Sequence, residues 1–256
     1  MPTTSSTGPA SAGPRSHRNR NILVVALAVM AIAAVAAGGY GLWYILIGPS
    51  SPAAVSSAPP AVPTGAAVGA PSSLDGTWSV STSLGSIDDA TASFAGYRVQ
   101  EQLVGVGGHT AVGRTTKISG SMTLTGAVVD NVLITADLTA LVSDDSHRDG
   151  QLRRQALESD NFPTATFKTT GPIDLGSLPS DGTAVSVNAT GALTLHGVTK
   201  TVTIALQAVR QGGVIAVTGS LPIVFSDYSI QKPNSFSVLS VDDHGTMEMH
   251  LLFTHA

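Results

Sequence analysis

Residues 185–208 read VSVNATGALTLHGVTKTVTIALQA, two runs of alternating apolar and polar residues that meet at His196-Gly197. Before the turn, Val185, Val187, Ala189, Gly191, Leu193 and Leu195 fall on one parity, against Ser186, Asn188, Thr190, Ala192, Thr194 and His196 on the other. After it, Val202, Ile204, Leu206 and Ala208 alternate with Thr and Gln. A strand turns successive side chains to opposite faces, so this alternation marks two strands that each bury one face. The short turn between them makes the pair an antiparallel hairpin.

The same period recurs outward from the hairpin. Val132, Ile134, Ala136 and Leu138 share a face, and near the C-terminus Met247, Met249, Leu251 and Phe253 oppose Glu248, His250 and Thr254. Less regular strand candidates lie near residues 77–84, 93–104, 111–126, 164–170 and 214–225. About eight strands with turn-length connections predict a closed antiparallel barrel or a sandwich. Two stretches break the pattern. Ser146–Ser159 is charged and predicts one short helix beginning near Ser146, and Ser226–Gly245, which contains Pro233, reads as a long loop. Alternation alone leaves open whether the interior is filled or hollow. Small residues at inward positions (Ala136, Ala189, Gly191, Ala208) would leave room for a ligand.

The N-terminal part has a different character. After a Ser/Thr/Pro/Gly-rich tail (1–21) with Arg15, Arg18 and Arg20, an uninterrupted apolar run extends from Ile22 to Ile47. As a helix, about 26 residues reach roughly 39 Å, enough for a single transmembrane helix. No Lys or Arg follows the run until Arg98, so the positive-inside rule places the tail in the cytoplasm and the bulk of the chain outside. Trp43 and Tyr44 stand near the outer end. The alternative is a cleaved signal peptide, with Ala34-Val35-Ala36 in the small-x-small form of a processing site. Residues 48–73 are almost entirely Pro, Ala, Ser, Gly and Val without a charge, which predicts a partly extended spacer before a folded domain at 74–256.

Composition excludes several classes of function. The formal net charge is −4 and the thirteen Lys and Arg form no basic stripe in the folded part, so nucleic acid is not an expected partner. Cysteine is absent, which rules out disulfides, thiolate metal sites and cysteine nucleophiles. The seven His lack metal-ligand spacing, and Glu248, His250 and His244 form at most a weak cluster that outward-facing polar residues explain equally well. No Gly-x-Ser-x-Gly elbow is present, and His147-Arg148-Asp149 copies three letters of a kinase loop without any other kinase element. Arg148 and Asp149 are expected to brace the short helix at a barrel rim, and His196 to stabilise its turn. Asn188-Ala189-Thr190 matches a glycosylation acceptor but falls in a predicted strand.

Two blocks carry a family resemblance. Arg148-Asp149-x-x-Leu152-Arg153 followed by Asn161-Phe162-Pro163-x-Ala165-x-Phe167-Lys168, and then Thr190–Lys200 (TGALTLHGVTK), resemble in content, order and spacing the signatures of the YceI-like, polyisoprenoid-binding family. The resemblance covers most of 74–256 and implies a lipocalin-like antiparallel barrel with a short helix beside it, enclosing an apolar tunnel for isoprenoid chains, quinones among them. It departs at Ser93–Val99, where the family's early His has no counterpart, so no headgroup contact is carried over from it.

The expectation is therefore an all-β, about eight-stranded lipocalin-like barrel with one short helix, preceded by a single transmembrane helix. It would bind an isoprenoid or quinone lipid, use no cofactor or metal and perform no catalysis; a filled barrel would make it an interaction module instead. Phe94, Phe162, Phe167 and Phe225 either line the tunnel or pack the core. Together with Ile134, Leu138, Leu193, Leu195, Ile204 and Leu206 they are the candidate ligand-binding residues.

Overall fold

The computed structural model describes residues 29–30, 51–55, 59–63, 68–233 and 238–256. The apolar run 22–47 lies outside the described residues apart from Val29 and Met30, which are helical. No helix among the described residues is long and apolar enough to cross a membrane.

The hairpin at 185–208 forms as β9 (Ala184–Leu195) and β10 (Val198–Gln211), in register from Val198 opposite Leu195 to Val209 opposite Ala184. His196 and Gly197 both have positive φ, 51° and 74°, the backbone of a type I′ turn, whose twist matches that of the strands it joins. Before it come β1 (Gly76–Val80), β2 (Phe94–Leu103), β3 (Gly107–Thr115), β4 (Ile118–Thr125), β5 (Val128–Asp137), β6 (Val142–Ser143), β7 (Thr164–Thr169) and β8 (Ile173–Asp174). After it come β11 (Val214–Val224), β12 (Val238–Val241) and β13 (His244–His255). The helix α1 (Ser146–Gln151) begins where Asp145 accepts from the amides of His147 and Arg148, and runs on into a π-helical turn, Leu152–Ala156.

The sheet closes on itself. The antiparallel order β1-β4-β5-β7-β9-β10-β11-β13 returns to β1 through Trp78 opposite His255 and Val80 opposite Phe253. Farther along, β13 pairs instead with β2, from Thr246–Arg98 to His250–Phe94. Thus β1 and β2 share one position in an eight-stranded barrel; β4 and β3 share the next, and β5 and β6 the one after. Closure removes the open edges that an isolated sheet would present. We call the end carrying the β2–β3 and β9–β10 hairpins and α1 the upper end, and the end with the β10–β11 turn the lower end.

Two sequence expectations change. The candidate strand 111–126 is two strands broken at Thr116-Lys117, where Thr115 Oγ1 accepts from the Lys117 amide at 3.1 Å. The predicted loop 226–245 contains β12, which pairs with the end of β2. A bulge also marks β5: Asn131 has φ 52°, and the register shifts opposite Ser121–Thr123. An extra residue reverses parity, which is why Val129 faces inward on one side of it and Val132, Ile134 and Ala136 on the other.

The stretch predicted as a spacer is different as well, because its described residues lie along the barrel wall. Ser51 bonds the Thr110 carbonyl near the upper end, the carbonyls of Pro52 and Ala53 accept from Arg98 and Arg114 at 2.7 and 2.9 Å, and the Val55 amide donates to Glu248. Val62 and Val68 cover Val214, Ala216 and Leu252, and the Gly213 amide donates to the Val68 carbonyl at the lower end. Outward residues of β11 and β13 that period-2 logic would leave in water are buried by this strap, with Val214 and Leu252 fully covered. Glu248 and His250, expected to be exposed, are 2% and 3% accessible. The two ring nitrogens of His250 face the carbonyls of Ala92 and Ala61.

Candidate functional site: an apolar tunnel with a polar upper end

Inward residues from each of the eight ring positions line a cavity of about 290 Å³, at the lower edge of the range for small-molecule sites. Its lining runs from Leu138, Leu152, Ile223, Phe225 and Ile230 near the upper end to Ile173, Leu178 and Val185 near the lower. The channel stays open because large inward side chains alternate with small ones such as Ala136, Ala189 and Ala208. Gly191 gives its space to a neighbour instead: a Cβ there would lie 2.6 Å from Phe167 Cζ, so the Phe167 ring lies across the glycine and shapes the wall.

Of the ten candidate residues, Ile134, Leu138, Phe167, Leu193, Leu195, Ile204, Leu206 and Phe225 line this cavity. Phe94 and Phe162 do not, and both are corrections. Phe94 has the outward parity of β2; its ring is buried beneath the Arg114 guanidinium (4.2 Å) and stacks on His250 at 6.0 Å. Phe162 precedes β7 outside the cavity and packs on His196 with ring centres 4.4 Å apart. A Cβ on Gly197 would meet Phe162 at 2.7 Å. The two signature blocks thus touch at Phe162 and the His196-Gly197 turn. His196 Nδ1 also bonds the Tyr228 carbonyl at 3.0 Å, tying the turn to the 3₁₀ turn Phe225–Tyr228.

Sequence reasoning missed the polar residues of the tunnel. Ala95, Tyr97, Val99 and Glu101 alternate inward along β2, so Tyr97 and Glu101 join the lining, as does Arg148 from α1. Arg148 donates to Glu101 at 2.6 Å and also bonds Asp144; Glu101 further accepts His109 at 2.9 Å. Asp149 accepts instead from the amide and hydroxyl of Ser143, a hydroxyl to which Arg148 also donates at 3.4 Å, so Arg148 and Asp149 brace the helix through Ser143 as well as through Glu101 and Asp144. Burial opposes the Arg148 charge, but Glu101 and Asp144 outweigh it and hold the guanidinium's pKa above its usual value. Tyr97 fits because position 113 is glycine: a Cβ there would stand 2.3 Å from Tyr97 Cε1. The buried Tyr97 hydroxyl has no hydrogen-bond partner among the described residues. Burial, outweighing the pull of Arg148, raises its pKa well above the ordinary phenol value, so it remains a donor at neutral pH. The available signal was a phenol and a carboxylate on the same parity of β2 as Ala95 and Val99.

The architecture is thus a closed, eight-stranded antiparallel barrel with one short helix, enclosing an apolar tunnel with polar groups at one end. The chain belongs to the YceI-like domain family, whose model matches residues 86–253. In fold it is similar to a polyisoprenoid binding domain from Saccharophagus degradans implicated in plant cell wall breakdown: TM-score 0.52, 16% identity, 71% of this chain and 99% of that one. The Burkholderia cenocepacia protein BcnA aligns at TM-score 0.49 with 22% identity, over 62% of this chain and 95% of its own. UPF0312 protein VPA0850 of Vibrio parahaemolyticus serotype O3:K6 (strain RIMD 2210633) is 30% identical over 120 residues, 44% of this chain. The match spans 60% of that curated relative's length.

Proposed function

We propose that this protein is a membrane-tethered extracytoplasmic binding protein that takes an isoprenoid lipid, of quinone or polyprenyl type, into its barrel and sequesters or carries it without catalysis. The observation that carries the reading is the apolar tunnel through the barrel. A chain of prenyl units contributes about 0.8 kcal/mol for each methylene removed from water, and a walled tunnel takes such a chain lengthwise. The Saccharophagus domain of the same fold is described as polyisoprenoid-binding, which agrees with this reading. The rival, a non-catalytic cell-envelope interaction module, needs a filled barrel, and the tunnel speaks against it.

Tethering rests on the sequence: the apolar run 22–47 as anchor, its N-terminal arginines in the cytoplasm, and 74–256 as the lipid-binding domain outside. A bilayer holds a prenyl chain almost as well as a protein tunnel does, so transfer is easiest where the barrel stays near the lipid. The described residues 51–55, 59–63 and 68 lie against the barrel wall, which shortens the reach of the linker. The test is native mass spectrometry with lipid extraction on the full-length chain, purified in detergent from a host that makes isoprenoids. The expected result is a stoichiometric prenyl lipid. A protein that is empty and also takes up neither quinones nor polyprenols would refute the proposal.

A further inference from the structure

We propose that the tunnel selects isoprenoids with an uncharged head bearing an acceptor oxygen, as in a quinone, that Tyr97 Oη donates to that oxygen, and that diphosphate-headed lipids are rejected. The inference rests on the lipid-binding reading above and names the chemical class of the head.

Charge along the tunnel makes the first half of the argument. The cations on the lining are Arg148 and Arg210. Arg148 is spent on Glu101 and Asp144, and Arg210 on Asp181 at 2.7 Å and the Gly212 carbonyl. With Asp149 beside it, the upper end holds more negative than positive formal charge. A diphosphate inside the tunnel would shed its water beside carboxylates without gaining an unpaired cation of the lining. An uncompensated buried charge costs several kcal/mol, and like-charge contact adds to it.

The second half is the donor. Tyr97 is the buried hydroxyl on the lining that has no hydrogen-bond partner among the described residues, and its ring is fixed by the Gly113 slot. Burying a hydroxyl without a hydrogen bond costs about 1–3 kcal/mol in proteins, a cost that an acceptor oxygen on a ligand removes. A phenol donates one bond to a neutral carbonyl without adding charge, which suits a site where Arg148 is already held by Glu101 and Asp144. Glu101 and Arg148 brace the wall around that position and are not themselves available to the ligand.

The experiment compares three probes with one C15 tail, binding to the full-length chain in detergent: farnesyl-benzoquinone, farnesyl diphosphate and the headless hydrocarbon farnesene. Wild type is expected to prefer the quinone over the diphosphate by at least about tenfold, the effect of some 1.4 kcal/mol. Tyr97→Phe keeps the ring in its slot and is expected to weaken the quinone about three- to tenfold, the range of one net hydrogen bond, with farnesene unchanged. Asp144→Asn, which releases part of Arg148, is expected to narrow the gap between diphosphate and quinone. Equal quinone binding by wild type and Tyr97→Phe, or a diphosphate held as tightly as the quinone, would overturn the assignment. If farnesene binds in either of those cases, the lipid-carrier function stands and only the head selection falls. Binding of none of the three would overturn both.

Discussion

Replacing Glu248 with alanine tests whether residues 51–68 are part of the fold or a passive tether. The carboxylate is 3% exposed, lies 2.9 Å from Arg98 Nε and 3.7 Å from Arg114 Nη2, and accepts the Val55 amide of the strap at 3.3 Å. Removing it leaves two guanidinium groups together under the strap without their counter-ion. Burial already pushes the pKa of Arg114 down, with Glu248 working against that shift and Arg98 adding to it. Breaking a buried pair by deleting one partner costs about 3–5 kcal/mol, which for a domain of this size lowers the melting temperature by roughly 6–20 °C. Glu248→Gln keeps an acceptor for Val55 and loses only the charge, so its drop is expected to be smaller. The assay is thermal melting of the full-length chain in detergent, followed by circular dichroism, with limited proteolysis of residues 51–62 in parallel. If the strap were a free spacer, Glu248 would be a surface residue worth less than about 0.5 kcal/mol. A drop of under about 2 °C, with unchanged proteolysis, would refute the docked strap.

Other substitutions separate wall from core. Ala189→Leu adds bulk in the middle of the tunnel: in a hollow barrel it is expected to melt within about 1 kcal/mol of wild type while prenyl uptake falls, whereas a filled core would lose about 1–3 kcal/mol. Gly113→Ala drives a methyl into the Tyr97 ring at 2.3 Å and is expected to cost roughly 1–3 kcal/mol; paired with Tyr97→Ala, a double-mutant cycle on melting should show the cost largely relieved. Phe94→Ala is expected to destabilise by about 3–5 kcal/mol, yet leave the prenyl affinity of the folded fraction unchanged, since its ring lies outside the tunnel. Alkaline pH gives a further test. The Tyr97 pKa is raised in the fold by burial, so its contribution is intact below the unfolded phenol value of about 10 and is lost as pH rises above it. Tyr97→Phe is accordingly expected to flatten the loss of stability between pH 10 and 11 in urea melts.

Much of the fold was legible because it depends on local period. The His196-Gly197 hairpin, the inward rows of β9, β10 and β13, and the helix after Asp145 each follow from rules that act within about ten residues. Six of the candidate lining residues (Ile134, Leu138, Leu193, Leu195, Ile204 and Leu206) follow from parity, since an inward position on a closed barrel faces the tunnel wherever the strand stands in the ring; Phe167 and Phe225 were named for their aromatic rings. Phe94 and Phe162 were misplaced because aromatic character does not reveal which face is inside. Phe94 has the outward parity of β2, and Phe162 precedes β7 in a segment without alternation.

The sequence by itself determined a β-rich domain with one short helix, its main hairpin, its apolar N-terminal run and the blocks that resemble the YceI-like family. All of these are set by the spacing of neighbouring residues and by turn chemistry. Only the tertiary structure decided that β1 with β2, and β4 with β3, share positions in the ring. It also placed the Pro/Ala-rich stretch over an ion cluster on the outer wall, and Tyr97, Glu101 and Arg148 together at one end of the tunnel. The last two join residues about fifty positions apart along the chain, and the shared ring positions are set by β13, whose residues lie about 150 or more positions from their partners on β1 and β2. Pairing across such separations is settled by closure of the sheet and by the need to satisfy buried charges, and neither has a local signature.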